Sequence, residues 1–230
     1  HVAVERIAVE LNKLLCGKDV RRVMMEYPDI LCAAVPELAP MVGFAQNNPY
    51  HAYDVYEHTA ICVESVPPSP LIRLVALFHD IGKPSCYTQD EKGIGHFYGH
   101  QSASTTIART VLTRLHYDNQ TIDRVCRLVT YHDVWIENDE RLVKRWLNRL
   151  GEEDFRLLIE MKKADIRGQA PHLVSRLEEM DALTATLHKV LREKQCFSLK
   201  DLAVNGHDLI TIGLYPGKLL GDILQALLND

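Results

Sequence analysis

The chain lacks any apolar run near the roughly 20 residues that a membrane-crossing helix requires, and His1 to Glu10 carries charges where a secretory leader would be apolar. A soluble, cytoplasmic protein with no membrane partner is therefore expected. Its six cysteines, at positions 16, 32, 62, 86, 126 and 196, never form a C-x-x-C pair. Most fall in apolar helical stretches, as small buried side chains do, so a reducing compartment and no disulfide-linked partner are expected. Gly-Gly and D-x-D are both missing. Nucleotidyl transfer needs a glycine-rich turn to hold phosphates and paired aspartates to hold magnesium, so these residues cannot perform it unaided. Nor is there a basic excess: 26 Lys and Arg face 31 Asp and Glu, for a net charge of -5. That argues against a globally basic nucleic-acid binder. The local clusters Lys18, Arg21, Arg22 and Arg141, Lys144, Arg145, Arg149 read either as phosphate contacts or as solvated helix faces.

What the chain does hold is enough apolar residues, 47% of 230, to build a real core. The periodicity is helical nearly throughout. A first amphipathic helix closes on Leu11, Leu14 and Leu15, a second covers Val20 to Tyr27, and a short third ends around Pro36 to Pro40. Further helices are predicted over Asp54 to Ser65, Leu71 to Ile81, Gly99 to Leu115, Asn119 to Tyr131, Glu140 to Leu150, Glu152 to Arg167 and Pro171 to Lys194. Two short helices follow between Phe197 and Asp230, separated by Gly213, Pro216 and Gly217. Cys86 to Tyr98 is the one candidate for strands, a small hairpin turning at Asp90-Glu91-Lys92-Gly93. The expected fold is all-α with this single hairpin. The chain opens with His rather than Met and its last apolar helix stops at Asp230, which fits a piece of something longer.

One constellation carries chemistry: His58, the pair His79-Asp80, then His100, His132 and Asp165. Residues three and four apart share a helix face, and each neighbourhood is apolar. His58 follows Val55 and precedes Ile61 and Cys62; His79 follows Val75 and Ala76; His132 follows Leu128 and Val129. Asp165 follows Leu158 and Met161, and His100 heads the stripe Ala103, Ile107, Val111. A buried charge or unpaired imidazole costs several kcal/mol unless it is hydrogen-bonded, paired or metal-bound. A lone core histidine bonded to a carbonyl is commonplace, but six polar groups gathered from five separate helices call for one explanation. Imidazole and carboxylate suit a hard or borderline divalent ion, so a metal site is expected.

These residues resemble the H…HD…D signature of the HD-domain metal phosphohydrolases. Leu77-Phe78-His79-Asp80-Ile81-Gly82-Lys83-Pro84 is similar to that superfamily's L-x-H-D-I-G-K-P stretch, and His96-Phe97-Tyr98-Gly99-His100 with Gln101-Ser102-Ala103 resembles the H-F-Y-G-H-E-x-x-S-A region of one branch. That branch is the HD portion of bacterial tRNA nucleotidyltransferases, the CCA-adding enzymes of the poly(A) polymerase family. The likeness runs nearly end to end. Glu5-Arg6-Ile7 with Glu10-Leu11 resembles the helix closing the nucleotide-recognition part, and Pro49-Tyr50-His51 with Tyr53 to Thr59 resembles the lead-in to the first histidine. Asp201 to Leu209, with Pro216-Gly217 and Leu220-Gly221, resembles the C-terminal arm. Gln101 stands where the branch usually has Glu.

The resemblance implies a helical neck over 1–48, an HD metal phosphohydrolase domain over 49–170 and a helical arm over 171–230. It implies two divalent ions (manganese, iron, nickel, cobalt or magnesium), one held by His58, His79, Asp80 and Asp165 and the other by His100 and His132 with Asp80 bridging. Asp80 and Lys83 are the catalytic candidates, and Lys83 and His96 the substrate-binding ones. Lys83 could equally serve the carbonyl end of a helix, His96 a hairpin surface, and Asp133 either the orientation of His132 or a solvated helix end. The implied reaction is metal-dependent phosphohydrolysis of a nucleotide or RNA-end phosphoester, with tRNA as a partner; nucleotidyl transfer would need a head upstream of His1. Two other readings are an inactive tRNA-binding helical module and a hydrolase of a signalling nucleotide unconnected with tRNA. His207-Asp208 repeats the dipeptide without an apolar helix before it, Asn205-Gly206 ahead of it reads as a turn or cap, and the pair is left out of the metal site.

Overall fold

The computed structural model describes residues 3–193 and 202–229. The fold is all-α with one small hairpin. Eleven helices are described: α1 Val4–Leu15, α2 Val20–Glu26, α3 Pro28–Ala34, α4 Val55–Ser65, α5 Pro70–Phe78, α6 His100–Arg114, α7 Asn119–Tyr131, α8 Glu140–Gly168, α9 Arg176–Arg192, α10 Gly206–Thr211 and α11 Lys218–Asn229. Strands β1 Thr88–Gln89 and β2 Gly95–His96 pair antiparallel, with Thr88 opposite His96. The start of the expected last segment, from Phe197 to Asp201, lies outside the described residues, as do Cys196 and Lys194.

The chain divides into two compact units. One takes the residues up to Val134 together with Leu157–Leu177; the other takes Trp135–Arg156 and the described residues from Glu178 onward. In the first unit, α4 and α5 are apolar around nearly their whole circumference and form the centre of the core, as such helices must. Val55, Tyr56, Ala60, Cys62 and Val63 of α4 and Ile72 to Phe78 of α5 are buried. Leu15, Met24, Leu31, Leu38, Met41 and Leu112 complete the packing, each stabilising by about 1.5–3 kcal/mol on burial. Helix starts follow local chemistry. Asp54 accepts from Glu57 N at 2.8 Å to cap α4, Pro70 opens α5, and Asp118 accepts from Thr121 N at 2.9 Å to cap α7.

Two stretches depart from the sequence expectation. Helix α5 ends at Phe78 rather than Ile81, and a 3-10 turn follows at Lys83–Cys86. There the His79 side chain takes up the Ala76 carbonyl, one of the orphans of the last turn, and Pro84 has no N–H to continue the ladder. The segment from Pro171 opens as a 3-10 turn, Pro171–Leu173, with α9 proper starting at Arg176. The two helices expected on either side of Gly151 are both present within α8, and the chain breaks between them at Gly151, whose φ of 77° and ψ of 165° are not helical.

Candidate metal centre

All six expected ligands converge within the first unit. His58 stands in the middle of α4, His79 caps the C-terminus of α5 with Asp80 next to it, His100 opens α6, His132 caps α7, and Asp165 lies near the end of α8. His58, His79, Asp80 and His132 are at most 3% exposed and His100 is 6% exposed, while the Asp165 side chain keeps 18% of its surface open.

Each imidazole is oriented the same way. Nδ1 of His58 lies 2.8 Å from Gly168 O, that of His79 2.8 Å from Ala76 O, that of His100 2.8 Å from Phe97 O, and that of His132 2.7 Å from Val129 O. A carbonyl only accepts, so Nδ1 carries the proton in every ring and Nε2 presents its lone pair to the centre. Those four Nε2 atoms form two pairs, His58 with His79 at 3.1 Å and His100 with His132 at 3.3 Å.

Asp80 joins the pairs. Its Oδ2 lies 3.3 Å from His58 Nε2 and 3.2 Å from His79 Nε2, and its Oδ1 lies 3.4 Å from His100 Nε2 and 3.6 Å from His132 Nε2. Asp165 Oδ1 adds a contact of 3.1 Å to His58 and 3.9 Å to His79. Both Asp80 oxygens are fully buried without a well-formed hydrogen bond, although the Lys83 ammonium stands 2.6 Å from Oδ2. Two nitrogen or oxygen donors on one ion, at about 2.0–2.2 Å, stand about 2.9–3.5 Å apart for angles between square and tetrahedral. The separations around Asp80 Oδ2 and Asp165 Oδ1 fall mostly in that span, so the donors fit a divalent ion. Facing nitrogen lone pairs also require a cation or a proton between them. Without an ion, burial disfavours a charged His79, but the Asp80 carboxylate more than reverses this and pushes the imidazole up to about 10. Burial likewise opposes ionised Asp80, and the neighbouring His79 and Lys83 charges hold it well below the usual carboxylate range.

Two glycines make the approach possible. A Cβ on Gly82 would stand 2.6 Å from Ser104 N and 2.8 Å from His100 O, so only glycine lets α6 seat against the turn after Asp80. A Cβ on Gly168 would stand 2.7 Å from His58 Nδ1.

A cavity of about 320 Å³ opens over the Asp80, His100, His132 and Asp165 side of the cluster, with Lys83, His96 and His51 also lining it. Lys83, 5% exposed, is held between Asp80 and Gln46 Oε1, 2.9 Å from the latter. His96 bonds Asp90 Oδ2 at 3.1 Å and stacks on Tyr98 at the cavity mouth. Asp133 accepts from Gln101 at 2.8 Å on the rim. His207 and Asp208 lie in a capped helix start: Asn205 Oδ1 accepts from both of their backbone N–H groups, and Asp208 Oδ2 accepts from Asn205 N at 2.8 Å.

Several contributors carried no role in the sequence reading. His51 packs edge-on against His58 with ring centroids 5.4 Å apart, its Nδ1 is buried without a partner, and burial pushes its pKa down to about 3. Cys62, one turn after His58, places Sγ 3.5 Å from His58 Nε2. Burial opposes its ionisation, but the His58 and His79 imidazoles pull the thiol below its ordinary value. Gln46 is buried at 2% exposure and Lys162 donates to His132 O at 2.7 Å. In the second unit, Arg141, Lys144, Arg145 and Arg149 line a cavity of about 800 Å³ with Gln225 and Leu228. The other basic cluster is tied down by acids, Arg21 to Glu57 and Arg22 to Asp19.

Residues 88–230 match the family model described as tRNA nucleotidyltransferase domain 2. The chain belongs to this family. It is 28% identical over 235 residues to an A-adding tRNA nucleotidyltransferase of Deinococcus radiodurans, covering 98% of this chain and 54% of that protein. It is 30% identical over 240 residues to a CC-adding tRNA nucleotidyltransferase of Thermus thermophilus, covering 99% and 52% respectively. A bifunctional uridylyltransferase/uridylyl-removing enzyme of Phenylobacterium zucineum is 29% identical over 195 residues, which is 71% of this chain and 20% of that one. The chain thus spans about half the length of the two tRNA nucleotidyltransferases it matches. No helix among the described residues is long and apolar enough to cross a membrane.

Proposed function

We propose that this member of the tRNA nucleotidyltransferase domain 2 family is a divalent-metal-dependent phosphohydrolase of the HD type, acting on nucleotide or RNA-end phosphoesters. The observation that carries the reading is the Asp80 carboxylate, buried between two imidazole pairs whose lone pairs all point at it, with both oxygens lacking a proper hydrogen bond. Water-filled surfaces do not need such an arrangement, and a neutral core would not tolerate it.

His58, His79, Asp80 and Asp165 would hold one ion, and His100 and His132 a second, with Asp80 shared. Bound ions supply Lewis acidity and lower the pKa of water. The chain's own groups do the rest. Lys83 keeps a positive charge fixed beside Asp80, where a phosphoryl oxygen entering the cavity would meet it. His96 and Tyr98 present ring faces at the mouth, suited to a base or sugar. His51, with a buried and unpartnered nitrogen, offers a polar atom to the incoming ligand.

The names of the relatives support an RNA connection, and so does the basic cavity lined by Lys144 and Arg145. A role in tRNA 3′-end processing, within a longer nucleotidyltransferase, follows as part of the same proposal. The test joins elemental analysis with turnover. Purified protein is expected to carry about two divalent ions, one for each donor group, and His79→Ala or Asp80→Ala to abolish phosphodiester hydrolysis while helix content persists. Metal-free protein after incubation with manganese or nickel, or variants with undiminished turnover, would overturn the assignment.

A further inference from the structure

The inner donor set contains sulfur. Cys62 is fully buried one turn beyond His58 on α4, and its Sγ belongs with His58, His79 and Asp165 to a group whose ligand atoms all lie within 4.8 Å of one another. A sulfur and a nitrogen bound to one ion, at about 2.3 and 2.05 Å, stand about 3.1–3.6 Å apart for angles between square and tetrahedral. Cys62 Sγ and His58 Nε2 stand 3.5 Å apart. The thiol also donates weakly to Ala164 O at 3.5 Å, a contact that leaves the sulfur lone pairs free. Opposite it, a Cβ on Gly168 would come within 3.1 Å of Sγ, so the α8 backbone closes directly over the sulfur. Asp80 Oδ2, which already faces the Lys83 ammonium, stands 3.3 Å from His58 Nε2 and 3.2 Å from His79 Nε2 and adds a buried carboxylate beside the same two imidazoles; its other oxygen, Oδ1, is buried without a hydrogen bond.

We infer that Cys62 is a thiolate ligand of the inner ion, and that this position selects a borderline transition metal of the zinc, cobalt or iron(II) kind over magnesium. The inference rests on the metal reading proposed above. Ion binding forms a metal–sulfur bond and releases the Cys62 proton to solvent, with no change of oxidation state. Thiolate is the soft member of a set otherwise made of imidazole and carboxylate, and softness is what discriminates among divalent ions at similar size.

Anaerobic titration of the full chain with cobalt(II), followed by absorption, tests it. The expected spectrum combines d–d bands with a sulfur-to-cobalt charge-transfer band in the near ultraviolet. Cys62→Ser and Cys62→Ala should lose the charge-transfer band and keep d–d absorption, and Cys126→Ser should keep both. Zinc affinity of Cys62→Ser should fall at least tenfold more than manganese affinity. The wild-type spectrum reads the sulfur whether or not the variants fold. Wild-type d–d bands without charge transfer, or a charge-transfer band surviving in Cys62→Ser, overturn the thiolate while leaving the metal site standing. Failure to take up cobalt at all overturns the metal reading itself.

Discussion

The Nδ1–H of His58 donates to the carbonyl oxygen of Gly168 at 2.8 Å, across 110 residues of sequence. This bond fixes the tautomer of a fully buried candidate ligand, and it exists because α8 approaches α4 at a residue without a side chain. Gly168→Ala places a methyl 2.7 Å from the ring nitrogen. Overpacking of that kind costs about 1–3 kcal/mol. The variant should unfold at lower denaturant concentration and retain less metal after gel filtration; wild-type values in both would show that α8 can shift without cost.

Gly82→Ala strikes the other half of the centre. The new methyl meets Ser104 N, Ala103 Cβ and His100 O, two of them backbone atoms that cannot rotate away. Helix α6 must retreat and take His100 with it. Elemental analysis is expected to show the ion beside His100 and His132 lost first, so that occupancy falls towards half.

Lys83 stands at the oxygen that the proposed inner ion would use. The ammonium lies 2.6 Å from Asp80 Oδ2, the same atom that faces His58 and His79. Lys83→Met removes a neighbouring positive charge, so metal affinity should rise, by isothermal titration, while phosphodiester turnover drops on the order of tenfold or more for want of a charge to meet the phosphoryl oxygens. A parallel loss of both would mean that the lysine serves only to build the site.

Metal should stabilise the fold by mass action. At 100 times the dissociation constant, each ion adds about 2.7 kcal/mol, and each kcal/mol moves the midpoint of a chain this size by roughly 2–4 °C. Differential scanning fluorimetry with and without chelator is expected to differ by roughly 10–20 °C in wild type, if two ions bind at that excess, and by little in Asp80→Ala.

The basic cavity can be separated from the metal centre. Lys144→Glu with Arg145→Glu should weaken binding of a tRNA minihelix by about tenfold or more and flatten its salt dependence, with turnover of a small phosphodiester unchanged. Equal RNA affinity in the double variant would remove this surface from the proposal.

The histidines and aspartates were legible in the sequence because each sits three or four residues from apolar neighbours, and polar groups in such places demand a partner. Cys62 was hidden by the same rule: a cysteine on an apolar face reads as core packing, and only coordinates place its sulfur beside His58. Gln46 and His51 lie in the irregular stretch between the Pro36–Met41 turn and α4, where no periodicity reports direction. The end of α5 came earlier than its apolar run suggested, because a side-chain bond from His79 to Ala76 O outweighs another turn of backbone ladder. The hairpin turns where the sequence indicates, but only two residues pair on each strand, fewer than the stretch from Cys86 to Tyr98 suggests.

Three of the four imidazoles bond to the carbonyl three positions behind them: His79 to Ala76, His100 to Phe97 and His132 to Val129. Ring placement at these positions is therefore written into short stretches of chain and does not await the long-range closure that His58 depends on. A nascent chain would bring three correctly turned heterocycles to the assembly, and capture of the ions would need no proton to migrate from one side of those rings to the other.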